Sequence, residues 1–298
     1  MSRILFIVSM LIFSTIGVFR SGLEVPSSVI AFFRAFLGTA ILLLVIFLSG
    51  KKFDKKVFRS NAKYLIPSGI FLGINWVLFF EGIRLTGVAT ATLCYYLAPS
   101  IVIILSPIFL KERLGAVKIV CAFAAFLGMI PISGILDAGR VVNLGGIAFS
   151  LGAAFLYAFI VLLNKKVKNL SGIETTVIQL GISSIVMALY VFISVPMNTY
   201  ENITSKELIT LLFVGVVHTG VAYLLYFTSI KSIKASDAAI FSYIDPAGAL
   251  VFSYTLLGET FTWSGFFGIV IILGASILAQ IPSRKRKEKR VRDKSVEL

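Results

Sequence analysis

Six stretches of this chain, residues 85–110, 119–136, 141–164, 175–200, 208–230 and 260–283, contain no Asp, Glu, Lys or Arg. Each reaches the roughly 18 apolar-rich residues that a transmembrane helix needs. Shorter charge-free runs at 4–19, 35–50 and 64–80 fill the first part of the chain, and 238–258 is interrupted by Asp245 alone. The pattern predicts ten helical spans, at about 3–20, 27–49, 63–84, 87–110, 115–133, 143–164, 173–196, 207–230, 235–257 and 261–281. The linkers are short, apart from a basic segment after the second span and a polar one around 198–206, so no soluble domain fits between spans.

The pattern also repeats. At a constant offset of 147, Gly73 matches Gly220, Phe80 matches Phe227, Ile83 matches Ile230, Ala91 matches Ala238 and Tyr96 matches Tyr243. Pro99 then matches Pro246, Ser106 matches Ser253, Leu110 matches Leu257 and Glu112 matches Glu259, with no gap. The chain therefore divides into a first repeat over 1–136, a second over 137–283 and a tail over 284–298. Five crossings per repeat would turn the second copy upside down relative to the first. Inverted halves are how many secondary transporters build a midplane site that opens to alternate sides.

Composition agrees with a membrane protein: 58% of the residues are hydrophobic and 14% charged, where a soluble domain carries about 25% charged. The net charge of +14 would suit a nucleic-acid binder, but its placement argues against nucleic acid as a partner. With the N-terminus inside, all but five of the 28 Lys and Arg fall in cytoplasmic segments, as the positive-inside rule requires, and both termini are cytoplasmic. The exceptions are Arg20, Arg84, Arg140 and Lys206 on the opposite side and Arg34 within a span. The basic tail from Arg284 to Lys294 reads as a topology anchor against anionic lipid. The first span lacks a small-x-small cleavage site and is expected to be retained. Cys94 and Cys121, both inside spans, read as packing residues. Asn202 heads a glycosylation triplet that a bacterial chain would not use. Gly69 and Gly73, Gly145, Gly146 and Gly152, and Gly265 and Gly268 mark close helix–helix contacts.

The stretch EGIRLTGVATATLCYYLAP over 81–99, with LKERL at 110–114, resembles the EamA family of the drug/metabolite transporter superfamily. The second copy is similar over TSIKSIKASDAA at 228–239, YIDP at 243–246 and GET at 258–260, and RAFL at 34–37 is similar to the family's early arginine. The resemblance covers essentially the whole chain. It implies an all-α integral membrane fold of ten helices in two inverted five-helix repeats, with a central cavity for small metabolites. Many members export amino acids or drugs, while relatives import or exchange nucleotide sugars, cofactors or quaternary amines.

Asp245 is the most informative residue, because a carboxylate at a helix centre costs roughly 2.5–3.5 kcal/mol to insert and its repeat mate is the apolar Ala98. It would bind a substrate cation, take up a proton, or pair structurally with an arginine or a helix start. Arg34 would meet a substrate carboxylate by a fork of hydrogen bonds, or pair permanently with Glu24 or Glu81. Glu81 sits three residues from Arg84 on one helix face, which suits a local ion pair; it and His218 are the other candidates for proton coupling beside Asp245. A neutral hydrogen-bonding role is the alternative for His218. Trp76, Tyr96, Tyr157, Tyr223 and Tyr243 form a candidate aromatic lining, with Trp76 matching Tyr223, Phe79 matching Tyr226 and Tyr96 matching Tyr243. Thr92, Tyr96, Pro99 and Ile103 share a helical face. Pro99 and Pro246 sit mid-span, where the lost backbone donor and ring clash predict a kink beside a cavity. Glu112 and Glu259 recur at helix ends as structural acids.

No H-E-x-x-H, phosphate-binding glycine loop or Cys/His cluster is present, so neither an enzyme, a metal site nor a cofactor is expected. The expectation is a secondary transporter of the bacterial cytoplasmic membrane, a monomer or weak dimer working by alternating access. Export of an amino acid or related amine is the first reading; uptake or exchange of a larger cofactor-like or nucleotide-like metabolite is the second.

Overall fold

A computed structural model describes residues 2–50, 54–111, 116–132, 143–196, 198–199, 203–230, 241–242, 244–260 and 263–280. Those residues are helical or in connections, with no strand among them. In chain order the helices are α1 (Ser2–Ser14), α2 (Ile16–Ser21), α3 (Ser27–Leu48), α4 (Lys55–Thr86), α5 (Val88–Tyr95), α6 (Ala98–Leu110) and α7 (Ala116–Ile132). They continue as α8 (Leu144–Asn164), α9 (Gly172–Ser194) and α10 (Ser205–Phe213), a π-helical stretch (Val214–Val221), α11 (Ala222–Ile230), α12 (Ile244–Leu257) and α13 (Trp263–Gln280). Lipid offers backbone groups no partner, so apolar segments of this length must bond within themselves as helices.

Among the described residues, seven segments are long and apolar enough to cross a membrane: Ser2–Ser21, Ser27–Leu48, Lys55–Thr86, Val88–Leu110, Leu144–Asn164, Gly172–Ser194 and Ser205–Ser229. Shorter apolar helices at Ile119–Gly128, Ile244–Leu257 and Trp263–Ala275 overlap the fifth, ninth and tenth expected spans. The surface is apolar, as lipid contact demands: Phe47, Phe192 and Trp263 are among the most exposed side chains. Small and polar groups lie inside, with Ser9, Ser68, Asn75, Ser150 and Ser183 fully buried.

Helix ends are set by local chemistry. Asp54 accepts from the Lys56 and Val57 N–H groups at 2.7 and 3.4 Å, so α4 starts at Lys55, ahead of the expected residue 63. Capping boxes join Ser171 with Glu174 at the start of α9 and Thr204 with Glu207 at the start of α10. Interior contacts depend on small residues. A Cβ at Gly69 would lie 2.7 Å from Ile182 Cβ and one at Gly73 2.8 Å from Ser183 Oγ, so both glycines let α4 approach α9 closely.

The partnerships follow the sequence offset. α3 packs along α9 and α7 along α13, each helix beside its own mate 147 residues on. α1 packs on α12 and α6 on α8; shifting either pair by 147 gives the other. The same exchange relates α3 with the π-helical stretch to α9 with α4.

Among the described residues, three of the ten expected spans are interrupted. The first breaks at Thr15, between α1 and α2. The fourth breaks at Tyr96 and Leu97, just before Pro99, so the proline occupies the first turn of α6, where its missing donor costs no helical bond. The Thr92–Tyr96–Pro99–Ile103 face is therefore not one continuous helix. The eighth passes through the eight-residue π-helical stretch. Pro246 likewise falls in the first turn of α12. Tyr243, Glu112, Asn202, the repeat boundary at 136–137 and the basic tail lie outside the described residues.

Candidate functional site

Arg34 comes from the middle of α3 and is buried. Its guanidinium carbon lies 4.0 Å from the centre of the Trp76 ring and 5.4 Å from that of Phe80, both on α4. Its Nε donates to Thr219 Oγ1 at 3.2 Å. Arg34 forms no ion pair among the described residues, and the Glu81 carboxylate is held by Arg84 and Ser27 instead. A ring face stabilises a cation without neutralising it, so the charge stays available to an anionic group.

Asp245 comes from the first turn of α12. Tyr96 donates its hydroxyl to Asp245 Oδ2 at 2.7 Å, crossing from the α5–α6 break to the second copy. This carboxylate also forms no ion pair among the described residues. Tyr223 lies within electrostatic reach of both charges. Tyr223 and Tyr95 lie within electrostatic reach of Arg34, and Tyr157 within reach of Tyr226, Tyr223 and Asp245. Tyr95 packs in tilted geometry against Phe79 at 4.7 Å and Tyr157 at 5.5 Å between ring centres. Its hydroxyl donates to Asn75 Oδ1 at 3.4 Å, and Asn75 Nδ2 in turn donates to the Ala153 carbonyl at 2.5 Å. Asn75 thus ties α4, α5 and α8 together at the level of the site.

Of the residues expected from the sequence, Arg34, Trp76, Tyr96, Tyr157, Tyr223 and Asp245 converge; Tyr243 lies outside the described residues. Asn75, Tyr95 and Thr219 join them without having been singled out, and Tyr226, noted as the repeat mate of Phe79, lies within electrostatic reach of Tyr157. The Tyr95–Tyr96 pair next to Pro99 was the one available signal, two polar-tipped rings at a predicted kink.

Glu81 and His218 stand apart. Arg84 donates to Glu81 Oε2 from Nε at 2.8 Å and from Nη2 at 2.7 Å, and Ser27 donates to Glu81 Oε1 at 2.6 Å. Arg20 completes this network by donating to Ser27 Oγ at 3.2 Å and to the Leu23 carbonyl at 2.7 Å. Both Glu81 oxygens are occupied where the α2–α3 turn meets α4, which fits the local ion pair read from its spacing. His218 is buried between Phe19 and Phe213, with Nε2 2.8 Å from Thr15 Oγ1. Thr15 also donates to the Ile12 carbonyl at 2.8 Å. A hydroxyl has one proton, so both contacts are hydrogen bonds when His218 is neutral and Nε2 carries the hydrogen. Nδ1 is then a buried lone pair without a partner among the described residues. Adjacent residues of the π-helical stretch serve different ends: His218 pins the break in the first span and Thr219 holds Arg34. π-turns are rare and concentrate at functional sites.

The described residues contain no cluster of three or more His, Cys, Asp or Glu suited to a metal. Cys94 and Cys121 are buried free thiols.

A helical protein with an apolar surface, several long apolar spans and a buried arginine and aspartate set among aromatic side chains has the features of a multi-span membrane carrier. The comparisons with known proteins place it further. The EamA-like transporter family matches residues 1–134 and again 144–280, and the chain belongs to that family. It is 30% identical over 277 residues to the uncharacterized transporter YxxF of Bacillus subtilis (strain 168), covering 92% of this chain and 88% of that one. An uncharacterized transporter of Archaeoglobus fulgidus is 26% identical over 274 residues, covering 92% and 94%. A solved crystal structure shares the fold with a TM-score of 0.67 at 15% identity, covering 94% of this chain and 98% of that one.

Proposed function

We propose that this transporter carries an amino acid or related amine out of a bacterial cytoplasm by alternating access. The observation that carries the reading is the presence of Arg34 and Asp245, a buried cation and a carboxylate that both lie within electrostatic reach of Tyr223, neither neutralised by an ion pair among the described residues. Substrates with a carboxylate and an ammonium complement both ends at once. Arg34 receives the carboxylate through the guanidinium donors not used by Thr219, and Asp245 receives the amine. Trp76, Tyr95, Tyr96, Tyr157 and Tyr223 bound the substrate body, and Tyr243 belongs to the same lining by its match to Tyr96.

The architecture in this proposal is ten spans in two inverted five-helix repeats, with both termini cytoplasmic. Support comes from the exchange of helix partnerships under the 147-residue offset, from the two family matches, and from the concentration of basic residues at one end of the helices. Asp245 also serves as the proton-coupling group, since Glu81 and His218 are engaged in contacts of their own. No covalent step is required of any residue. The unit is a monomer or weak dimer of the cytoplasmic membrane, with the basic tail against anionic lipid.

Full-length protein in liposomes, screened with labelled amino acids and amines with and without a pH gradient, tests this. Flux of a zwitterion that rises with the gradient is the expected outcome. Flux indifferent to the gradient removes the proton role, and flux confined to nucleotide-like or cofactor-like solutes favours the uptake or exchange reading.

A further inference from the structure

Glu259 was read from the sequence as a structural acid at a helix end. In the structure it reaches from the end of α12, in the second copy, to the start of α5, in the first. Its Oε1 accepts from the Val88 N–H at 2.7 Å; its Oε2 accepts from the Ala89 N–H at 3.0 Å and from Ser253 Oγ at 2.5 Å. Val88 and Ala89 begin α5, so the carboxylate takes up donors that no helical carbonyl can satisfy, at the positive end of the helix dipole. Two glycines make the approach possible. Gly258, at a φ of 67°, turns the chain after α12, and Gly87, at a φ of 83°, lets the α5 backbone come so close that a Cβ there would lie 2.6 Å from Oε1.

Three further features make this contact more than a cap. α5 is a short helix, running from Gly87 to the break at Tyr96 and Leu97. Beneath the carboxylate, Ala89 and Leu93 of α5 meet Leu250 of α12 and Ile272 of α13 in an apolar cluster of their own, with Ile269 against it. At the far end of α5, Tyr96 bonds Asp245 at the first turn of α12. The two helices are thus joined by a carboxylate at the helix ends, an apolar plug below it and the polar site below that. The joint lies at the end of the bundle that also carries Arg20 and Arg84, away from the basic loops.

We propose that Glu259 is a releasable latch that closes the basic-poor end of the site, and that opening that end requires its carboxylate to leave the Val88 and Ala89 N–H groups. α5 then swings from α12 about the Tyr96–Leu97 break and the apolar plug parts. This rests on the alternating-access reading, but it is tested without any substrate. Leu93→Cys is introduced into the full-length chain with Cys94 and Cys121 replaced by alanine, and its labelling rate by a membrane-impermeant maleimide is followed in nanodiscs. Leu93 is 1% exposed, so labelling is slow while the latch holds.

Glu259→Ala removes charge-assisted bonds worth more than a factor of ten in an equilibrium, so labelling is expected to rise at least about tenfold. Glu259→Gln keeps one acceptor and should give a smaller rise. Gly87→Ala, which presses on the carboxylate from the other side, should raise it as well. Elution as a single folded species, with unchanged helical circular dichroism, separates release from unfolding. Unchanged labelling in folded Glu259→Ala and Gly87→Ala overturns the latch, whether or not the protein transports. Raised labelling in a protein that moves no solute keeps the latch and removes the transport reading.

Discussion

The two copies of this chain agree and differ in different places. At Gly73 and Gly220, Phe80 and Phe227, Pro99 and Pro246, and Glu112 and Glu259 they carry the same residue. Where those residues are described they pack helices, end them or cap them. At the charged positions the copies part. Asp245 stands where the first copy has Ala98, and Arg34 stands where the second has Gly181. Each charge is thus placed once, in opposite copies, with a small residue at the mate position. Thr219 and Asn75, which hold Arg34 and Tyr95, likewise replace Leu72 and Ala222. In the proposed architecture the shared residues build a nearly symmetric frame, and the unshared ones give its centre two chemically distinct ends. A perfectly symmetric site would present two like ends and could not orient a zwitterion.

Changes at the unshared charges should break the comparison most severely. Asp245→Ala makes the second copy like the first, and Arg34→Gly does the reverse. Removing one partner of a buried charge contact costs about 2–5 kcal/mol, so each should lower zwitterion flux in liposomes by roughly 30-fold or more. Arg34→Lys, which keeps the charge and loses the planar fork, should recover only part of it. Flux near the parent level in Asp245→Ala would remove that carboxylate from the substrate path.

Next in size comes Tyr96→Phe, which deletes the bond to Asp245 while keeping the ring. A hydrogen bond to a charged group contributes about 1.5–3 kcal/mol, which corresponds to a loss of roughly tenfold or more in apparent affinity. Changes at shared positions should act on stability instead. Gly73→Ala and Gly220→Ala each place a Cβ within 3.0 Å of a neighbour, Ser183 Oγ in one copy and Ile41 in the other. Overpacking of this kind costs about 1–3 kcal/mol, so both should lower the thermal midpoint by similar amounts and leave substrate preference unchanged. A large drop in one and none in the other would show that the frame is less symmetric than the helix partnerships suggest. Smallest of all should be Tyr223→Trp, which supplies the residue its mate Trp76 already is; affinity should move by less than about tenfold.

Much of this was legible in the chain. Charge-free runs marked the helices because lipid penalises each buried charge by a few kcal/mol, and a constant offset exposed the duplication. The site charges stood out because they are rare inside spans. The remainder lacked a signature. Asn75 and Thr219 are small polar residues within apolar runs, indistinguishable there from Ser9 or Thr39, which simply bond their own helix. The break falls at Tyr96 and Leu97 rather than on Pro99 because a proline's missing donor is tolerated in a first turn. A π-helical turn depends on how Gly215 and Gly220 meet α3, a tertiary contact that no local pattern announces. Arg34 was expected beside an acid or a substrate, yet it rests on Trp76, since an arginine plane also suits an aromatic face.

Trp76 offers the most direct test of the two-ended site, because the chain has two tryptophans and the other, Trp263, is exposed. With Trp263→Phe as background, the fluorescence of Trp76 beneath Arg34 is followed while the protein is titrated with an amino acid that is transported, with its carboxamide and with its desamino acid. The expected result is that Arg34→Gln abolishes the preference for the amino acid over the carboxamide and spares that over the desamino acid, while Asp245→Asn does the opposite. Equal weakening of all three ligands by both variants would contradict a site built from one cation and one anion.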